Sequence, residues 1–180
     1  MLEKFEVKNF DITKDGLSLL TAILIVEFII LVIVRYSLGK PINDWYDNFG
    51  LSAVFADVTS VVIGSVLAYI IYVNLVKKEG EKFNLMIFLL IMIGVTVVHD
   101  IGFYYAVVKP IPQGHNKMMD LFKEYSEPGI ILVDCLIMLS SILLYYGIST
   151  NFNDSSKLLS LAFVFYAIQF ILYTPRRRIR

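Results

Sequence analysis

The sequence predicts an all-α polytopic membrane protein, a compact bundle of about five transmembrane helices with one short amphipathic helix at the interface. Three observations lead to this prediction. Hydrophobic residues make up 57% of the 180 residues and charged residues only 18%, against about 45–50% and 25% in soluble domains. The mean hydropathy of +0.70 indicates more apolar surface than a soluble chain of this length could bury. Several apolar stretches approach the roughly 20 residues that a membrane-crossing helix needs.

Five stretches have the length and composition of transmembrane helices. They cover about residues 17–34, 51–73, 85–108, 129–148 and 158–173. We therefore interpret 17–174 as a transmembrane bundle, preceded by a polar N-terminal segment, 1–16, and followed by a basic C-terminal tail, 175–180. Because the number of spans is odd, the two ends lie on opposite sides of the membrane. Side A denotes the side of the N-terminal end, and side B the side of the C-terminal end.

The connection between the first two spans is predicted to be a loop on side B. It is bracketed by residues that interrupt helices, Gly39, Pro41 and Gly50. The loop also carries three aromatic side chains, which are typical of an aromatic belt at the level of the lipid headgroups. They are Trp45, Tyr46 and Phe49.

Residues 116–127, between the third and fourth spans, have the pattern of an amphipathic helix. Their apolar side chains recur at positions i, i+3, i+4 and i+7, namely Met118, Leu121, Phe122 and Tyr125. This spacing predicts a short helix on the side-B membrane surface, with the apolar face toward the bilayer or the bundle. The alternative is that these residues form the first turns of a long fourth helix. The Glu127–Pro128 pair favours a break between the two.

The charges exclude some functions and suggest an orientation. The 16 basic residues balance 16 acidic ones, so the basic excess of a nucleic-acid-binding protein is absent. The single cysteine, Cys135, excludes an internal disulfide framework.

All five arginines lie on side B, which under the positive-inside rule favours side B as cytoplasmic.

Ionisable residues within the predicted spans are the candidates for function, because they are costly in hydrocarbon. They are Glu27 in the first span, Asp57 in the second, His99 and Asp100 in the third, and Asp134 in the fourth. All five fall in the side-B half of the membrane, about 8–13 Å from the side-B ends of their spans. We therefore predict that the candidates of spans two, three and four converge, with Glu27 as a further member of the site.

No Lys or Arg lies within any of the predicted spans, so His99 is the only base available in this layer. Arg35 or Lys109 could reach inward from the side-B boundary. Three interpretations stay open. The polar groups can hydrogen-bond helices to one another, they can bind a proton or a cation, or they can serve a metal-dependent membrane enzyme.

The sequence does not favour an enzyme. The motifs HExxH, CxxC and GxSxG are absent, which removes common zinc, redox and serine hydrolase sites. The sequence identifies no catalytic residue and no metal ligand, and it predicts no cofactor. The predicted partners are the lipid bilayer, further copies of the chain and other membrane proteins.

Two blocks of the sequence resemble a known group of proteins. The first contains Asp44-Trp45-Tyr46, LSAVFADV at 51–58 and Ile63-Gly64, and the second contains HDIGFY at 99–104, IPQGHNKMMD at 111–120 and Asp134. These blocks are similar to small multi-pass membrane proteins of nucleocytoplasmic large DNA viruses, the giant viruses. The resemblance covers a little over half of the chain, without the first span and the arginine-rich tail.

That viral group has no established activity that could be carried over to individual residues. The resemblance implies a context, namely the internal membrane of a virion or the host membrane that supplies it. We therefore expect a viral multi-pass membrane protein with a structural or assembly role, whose partners include viral membrane or capsid proteins. The alternative is a proton- or cation-handling channel or transporter, or a metal-dependent membrane enzyme, that uses the intramembrane Asp/His layer.

Overall fold

The computed structural model describes residues 15–37, 40–77, 83–125 and 128–175, and this part of the chain is α-helical. Its helices are α1 (Gly16–Ser37), α2 (Lys40–Phe49), α3 (Leu51–Ile71), α4 (Leu85–Phe103), α5 (Lys117–Tyr125), α6 (Pro128–Asn151) and α7 (Asp154–Leu172). Helices α3 and α4 each continue into a wide π-helical turn, Tyr72–Val76 and Tyr104–Val108 respectively.

Five segments are long and apolar enough to cross a membrane, which confirms the predicted five-span helical bundle. They are Gly16–Tyr36, Leu51–Val76, Leu85–Val108, Gly129–Asn151 and Asp154–Leu172. The predicted N-terminal segment, 1–16, and basic tail, 175–180, lie almost entirely outside the described residues.

Helix α1 is the centre of the bundle. It packs along α7 and α6 and, less extensively, along α3. Ile29 and Ile33 are exposed near its end, but its first half is buried on most sides, as the successive residues 21–24 show. Such burial requires a helix that is hydrophobic all round. By contrast, α4 packs mainly on α3 and α6, and its outer face exposes Leu90 and Val98.

The predicted loop between the first two spans is wrong, because its central residues form helix α2. Four apolar side chains, Ile42, Trp45, Tyr46 and Phe49, repeat at the i, i+3, i+4, i+7 spacing of an amphipathic helix. Pro41 is accommodated because it lies in the first turn, where a backbone N–H has no partner within the helix. Tyr46 is buried in the bundle instead of lying in a belt at the headgroup level.

The predicted amphipathic helix between the third and fourth spans is confirmed as α5, which ends at Tyr125, before α6 begins at Pro128. The ring of Phe122 lies 5.1 Å from that of Trp45 and 6.3 Å from that of Phe103. The apolar face of α5 therefore packs against α2 and the end of α4. The side chain of Tyr125 is outside the described residues.

Candidate functional site

Two candidate carboxyl groups meet at the hydroxyl of Tyr46. Its oxygen lies 3.0 Å from Oε1 of Glu27 on α1 and 3.1 Å from Oδ2 of Asp57 on α3. Both Glu27 and Tyr46 are almost fully buried, with 3% and 4% of their surface exposed. We call these three residues the carboxyl–tyrosine triad. It joins α1, α2 and α3 through side chains inside the bundle.

Trp45 completes the environment of Asp57. Its indole Nε1–H donates a hydrogen bond to Oδ2 of Asp57 over 3.1 Å. The turn after α2 makes this contact possible, because Gly50 has a φ of 53°, in the left-handed region that glycine adopts without strain. The turn reverses the chain, so two successive residues of α2 reach one carboxylate of α3.

The pKa of the Tyr46 phenol is raised well above its usual value. Burial is the largest cause, and the negative charges of Asp57 and then Glu27 add to it. Both effects disfavour a phenolate, because the ionised form would be a further negative charge in an apolar surrounding. The phenol therefore keeps its proton throughout the physiological pH range.

His99 and Asp100 form a second, separate pair on α4. The imidazole Nδ1 lies 3.0 Å from Oδ1 of Asp100, and 47% of the His99 side chain is exposed. The imidazole stacks almost parallel on Phe103, with ring centroids 5.7 Å apart. The His99 side chain thus lies at the periphery of the bundle and not among the buried carboxyl groups.

Asp134 lies half-buried on α6, between the two groups. It interacts electrostatically with Asp100 and with Asp57, but no hydrogen bond joins it to either of them within the described residues. The structure therefore distributes the five candidates over two hydrogen-bonded groups and one intervening carboxyl. The association between different spans is that of Asp57 with Glu27, which meet through the hydroxyl of Tyr46.

Arg35 is a buried cation just beyond the predicted limit of the first span. It lies inside the first membrane-crossing helix and is 4% exposed. Its guanidinium donates to Oδ1 of Asp47 over 2.5 Å, to Oδ1 of Asn43 over 3.3 Å, and to the carbonyl oxygen of Leu172. It therefore connects the side-B ends of α1, α2 and α7.

Lys157 makes the corresponding connection on side A. It lies in the first turn of α7, is 6% exposed, and places Nζ 3.3 Å from Oδ1 of Asp15, the residue before α1. The prediction that no Lys or Arg lies within a span is thus wrong for Arg35 and Lys157. Both lie near helix ends, one residue beyond the predicted limits of the spans. Neither side chain reaches the carboxyl layer, and Nζ of Lys109 lies over the ring of Tyr105.

A groove of about 620 Å³ lies on side B between α2 and α5. Its lining includes Phe49 and Leu121 together with Lys117, Asp120 and Glu124. None of the five candidate residues lines it. Among the residues that the structure describes, no three His, Cys, Asp or Glu side chains are grouped so as to hold a metal ion.

The sequence contained one signal for the missed residues. Trp45 and Tyr46 stand at i+3 and i+4 from Ile42, with Phe49 at i+7, a spacing that is typical of the buried face of a helix. Comparison of the chain with protein-family models, with curated proteins and with solved structures finds no match. The described structure is that of a multi-pass helical membrane protein, with five helices suited to crossing a bilayer.

Proposed function

We propose that this protein has a structural or assembly role in a viral membrane, either the internal membrane of a virion or the host membrane that supplies it. The observation that carries the structural role is that its buried polar groups connect helices. Arg35 ties together three helices on side B, Lys157 ties α7 to the start of α1 on side A, and Tyr46 joins α1 to α3 between them.

Connections at three levels favour one fixed arrangement of helices. Removing one partner of a buried ionic contact leaves an uncompensated charge, which costs several kcal/mol. Alternative packings of the same helices are therefore disfavoured. A rigid bundle with an apolar exterior is suited to a component that other membrane molecules assemble around.

The position of the groove supports a structural role over transport. A transport site would be expected to give the intramembrane carboxyls access to water, but the groove between α2 and α5 is lined by other residues. Oε1 of Glu27 is instead engaged by Tyr46, and Oδ2 of Asp57 by Tyr46 and Trp45.

The viral context rests on the sequence resemblance, and it can be tested directly. When membranes from infected cells are washed with alkaline carbonate, an epitope-tagged protein should remain in the membrane pellet. It should also copurify with gradient-purified particles at a constant ratio to other particle membrane proteins. Recovery in host membranes but not in particles would contradict the viral assembly role.

A matched pair of variants tests the structural part. Arg35→Met removes the contact among three helices, whereas Lys109→Met removes an exposed charge over an aromatic ring. We expect the first variant, and not the second, to reduce incorporation into particles. Proton or cation flux through liposomes containing the purified wild-type protein would instead favour the transport alternative.

A further inference from the structure

The carboxyl–tyrosine triad contains one hydrogen bond more than its phenol can donate. A tyrosine hydroxyl has a single proton, yet its oxygen lies at hydrogen-bonding distance from Glu27 and from Asp57. If both carboxyls were ionised, Tyr46 could donate to only one of them. The other would then face the lone pairs of the phenol oxygen, and two negative charges would lie close together in an apolar interior.

Trp45 indicates which carboxyl carries the negative charge. The indole N–H can only donate, and it donates to Oδ2 of Asp57, the same oxygen that faces Tyr46. An oxygen that accepts two hydrogen bonds is best satisfied as a carboxylate. The proton needed for the second bond then belongs to Glu27, whose Oε1 faces the phenol oxygen.

We propose that Glu27 holds a proton that closes a pH-sensitive clasp, in which Glu27 donates to Tyr46 and Tyr46 donates to the carboxylate of Asp57. With this assignment each contact in the triad has one donor and one acceptor, and the triad has a single negative charge. Loss of the Glu27 proton breaks the link between Glu27 and Tyr46. It thereby weakens the contact between α2 and α1.

The surrounding charges do not offer Glu27 another partner. On α2 and α3 the facing titratable groups are Tyr46 and Asp57. Beyond them, α6 contributes Asp134, and α4 contributes Asp100 with its partner His99. The cations of α1 and α7 are engaged near the helix ends, Arg35 with α2 and Lys157 with Asp15.

The clasp has its own spectroscopic probe, because Trp45 is the only tryptophan in the chain. The purified full-length protein in nanodiscs would be titrated from about pH 5 to about pH 10 while the fluorescence of Trp45 is recorded. We expect one reversible transition in the wild type. Glu27→Gln mimics the protonated acid and should abolish the transition, whereas the exposed Glu124→Gln should leave it unchanged.

Infrared spectroscopy at neutral pH tests the proton itself. We expect the wild type to show a carbonyl band of a protonated, buried carboxyl that is missing in Glu27→Gln and present in Glu124→Gln. Identical carboxyl bands in the wild type and Glu27→Gln would overturn the proposal, with or without a fluorescence transition. Tyr46→Phe provides a second variant: the Trp45 emission should already differ from that of the wild type at neutral pH.

Discussion

The ammonium group of Lys157 lies 3.3 Å from a carboxylate oxygen of Asp15, although the two residues are 142 positions apart in the chain. Asp15 precedes α1, and Lys157 lies in the first turn of α7. At the opposite ends of the same helices, Arg35 binds the carbonyl oxygen of Leu172. Helices α1 and α7 are therefore parallel neighbours fastened at both ends, and residues 15 and 175 lie on opposite sides of the bundle.

The Lys157 contact predicts a loss of stability on neutralisation. Lys157→Met should lower the free energy of unfolding in detergent by about 1–3 kcal/mol, between the values for exposed and buried pairs, because Asp15 is partly exposed. Asp154→Asn is the matched control, since Asp154 also faces Lys157 but its side chain is 92% exposed. A loss as large for Asp154→Asn would contradict this account.

Both removal of the Arg35 side chain and its replacement by lysine should destabilise the protein. Arg35→Lys keeps the charge but loses the planar fork that reaches three partners on α2 and α7. We expect Arg35→Met to cost about 3 kcal/mol and Arg35→Lys a large part of that, measured by thermal unfolding. Equal stability of Arg35→Lys and the wild type would show that charge alone suffices.

Gly64 should be intolerant of a large side chain. A Cβ at this position would lie 2.3 Å from the terminal methyl of Met138 on α6, whereas a Cβ at Gly94 would meet nothing within 4 Å. Gly64→Leu should therefore destabilise the protein by about 1–3 kcal/mol through overpacking, and Gly94→Leu should have little effect. Met138→Ala should restore part of the loss in a Gly64→Leu background.

The raised pKa of Tyr46 predicts weaker stability in alkali. Because the folded pKa lies above that of an unfolded tyrosine, about 10, the contribution of Tyr46 is fully present below that pH. It is lost as pH rises toward the folded pKa, since the unfolded state releases the proton first. The free energy of unfolding, measured between about pH 8 and about pH 11, should decline more steeply with pH in the wild type than in Tyr46→Phe. The exposed Tyr166→Phe variant should behave like the wild type.

The orientation in the membrane can be read with single cysteines. In a Cys135→Ala background, Gln113→Cys places a thiol on side B, between α4 and α5, and Phe152→Cys places one on side A, between α6 and α7. We expect an impermeant maleimide added to intact cells to label residue 152 and not residue 113, because side B is predicted to be cytoplasmic. Labelling of both positions from one side would contradict the five-span topology.

Much of the fold was predictable because transmembrane helices leave a long, local signal. About 20 apolar residues in succession define a span without any knowledge of its neighbours, and α5 was recognised from its apolar spacing. Helix α2 was missed because Pro41 and Gly50 suggested a loop. For the candidate site, the sequence could predict which residue types lie at one depth, but not which of them touch. Depth along a helix follows from counting residues, but the direction of a side chain depends on how the helices pack.

The sequence by itself determined that the chain is a five-span helical membrane protein, and it predicted that the five candidate residues lie in the side-B half of their spans. Composition and helical rise are sufficient for both conclusions. Only the tertiary structure decided that Glu27 and Asp57 share the phenol of Tyr46, while His99 pairs with its neighbour on the outer part of α4. The physical reason is that a hydrogen bond requires two groups within about 3 Å, and such proximity between distant residues is set by helix rotation and by the reversal of the chain at Gly50.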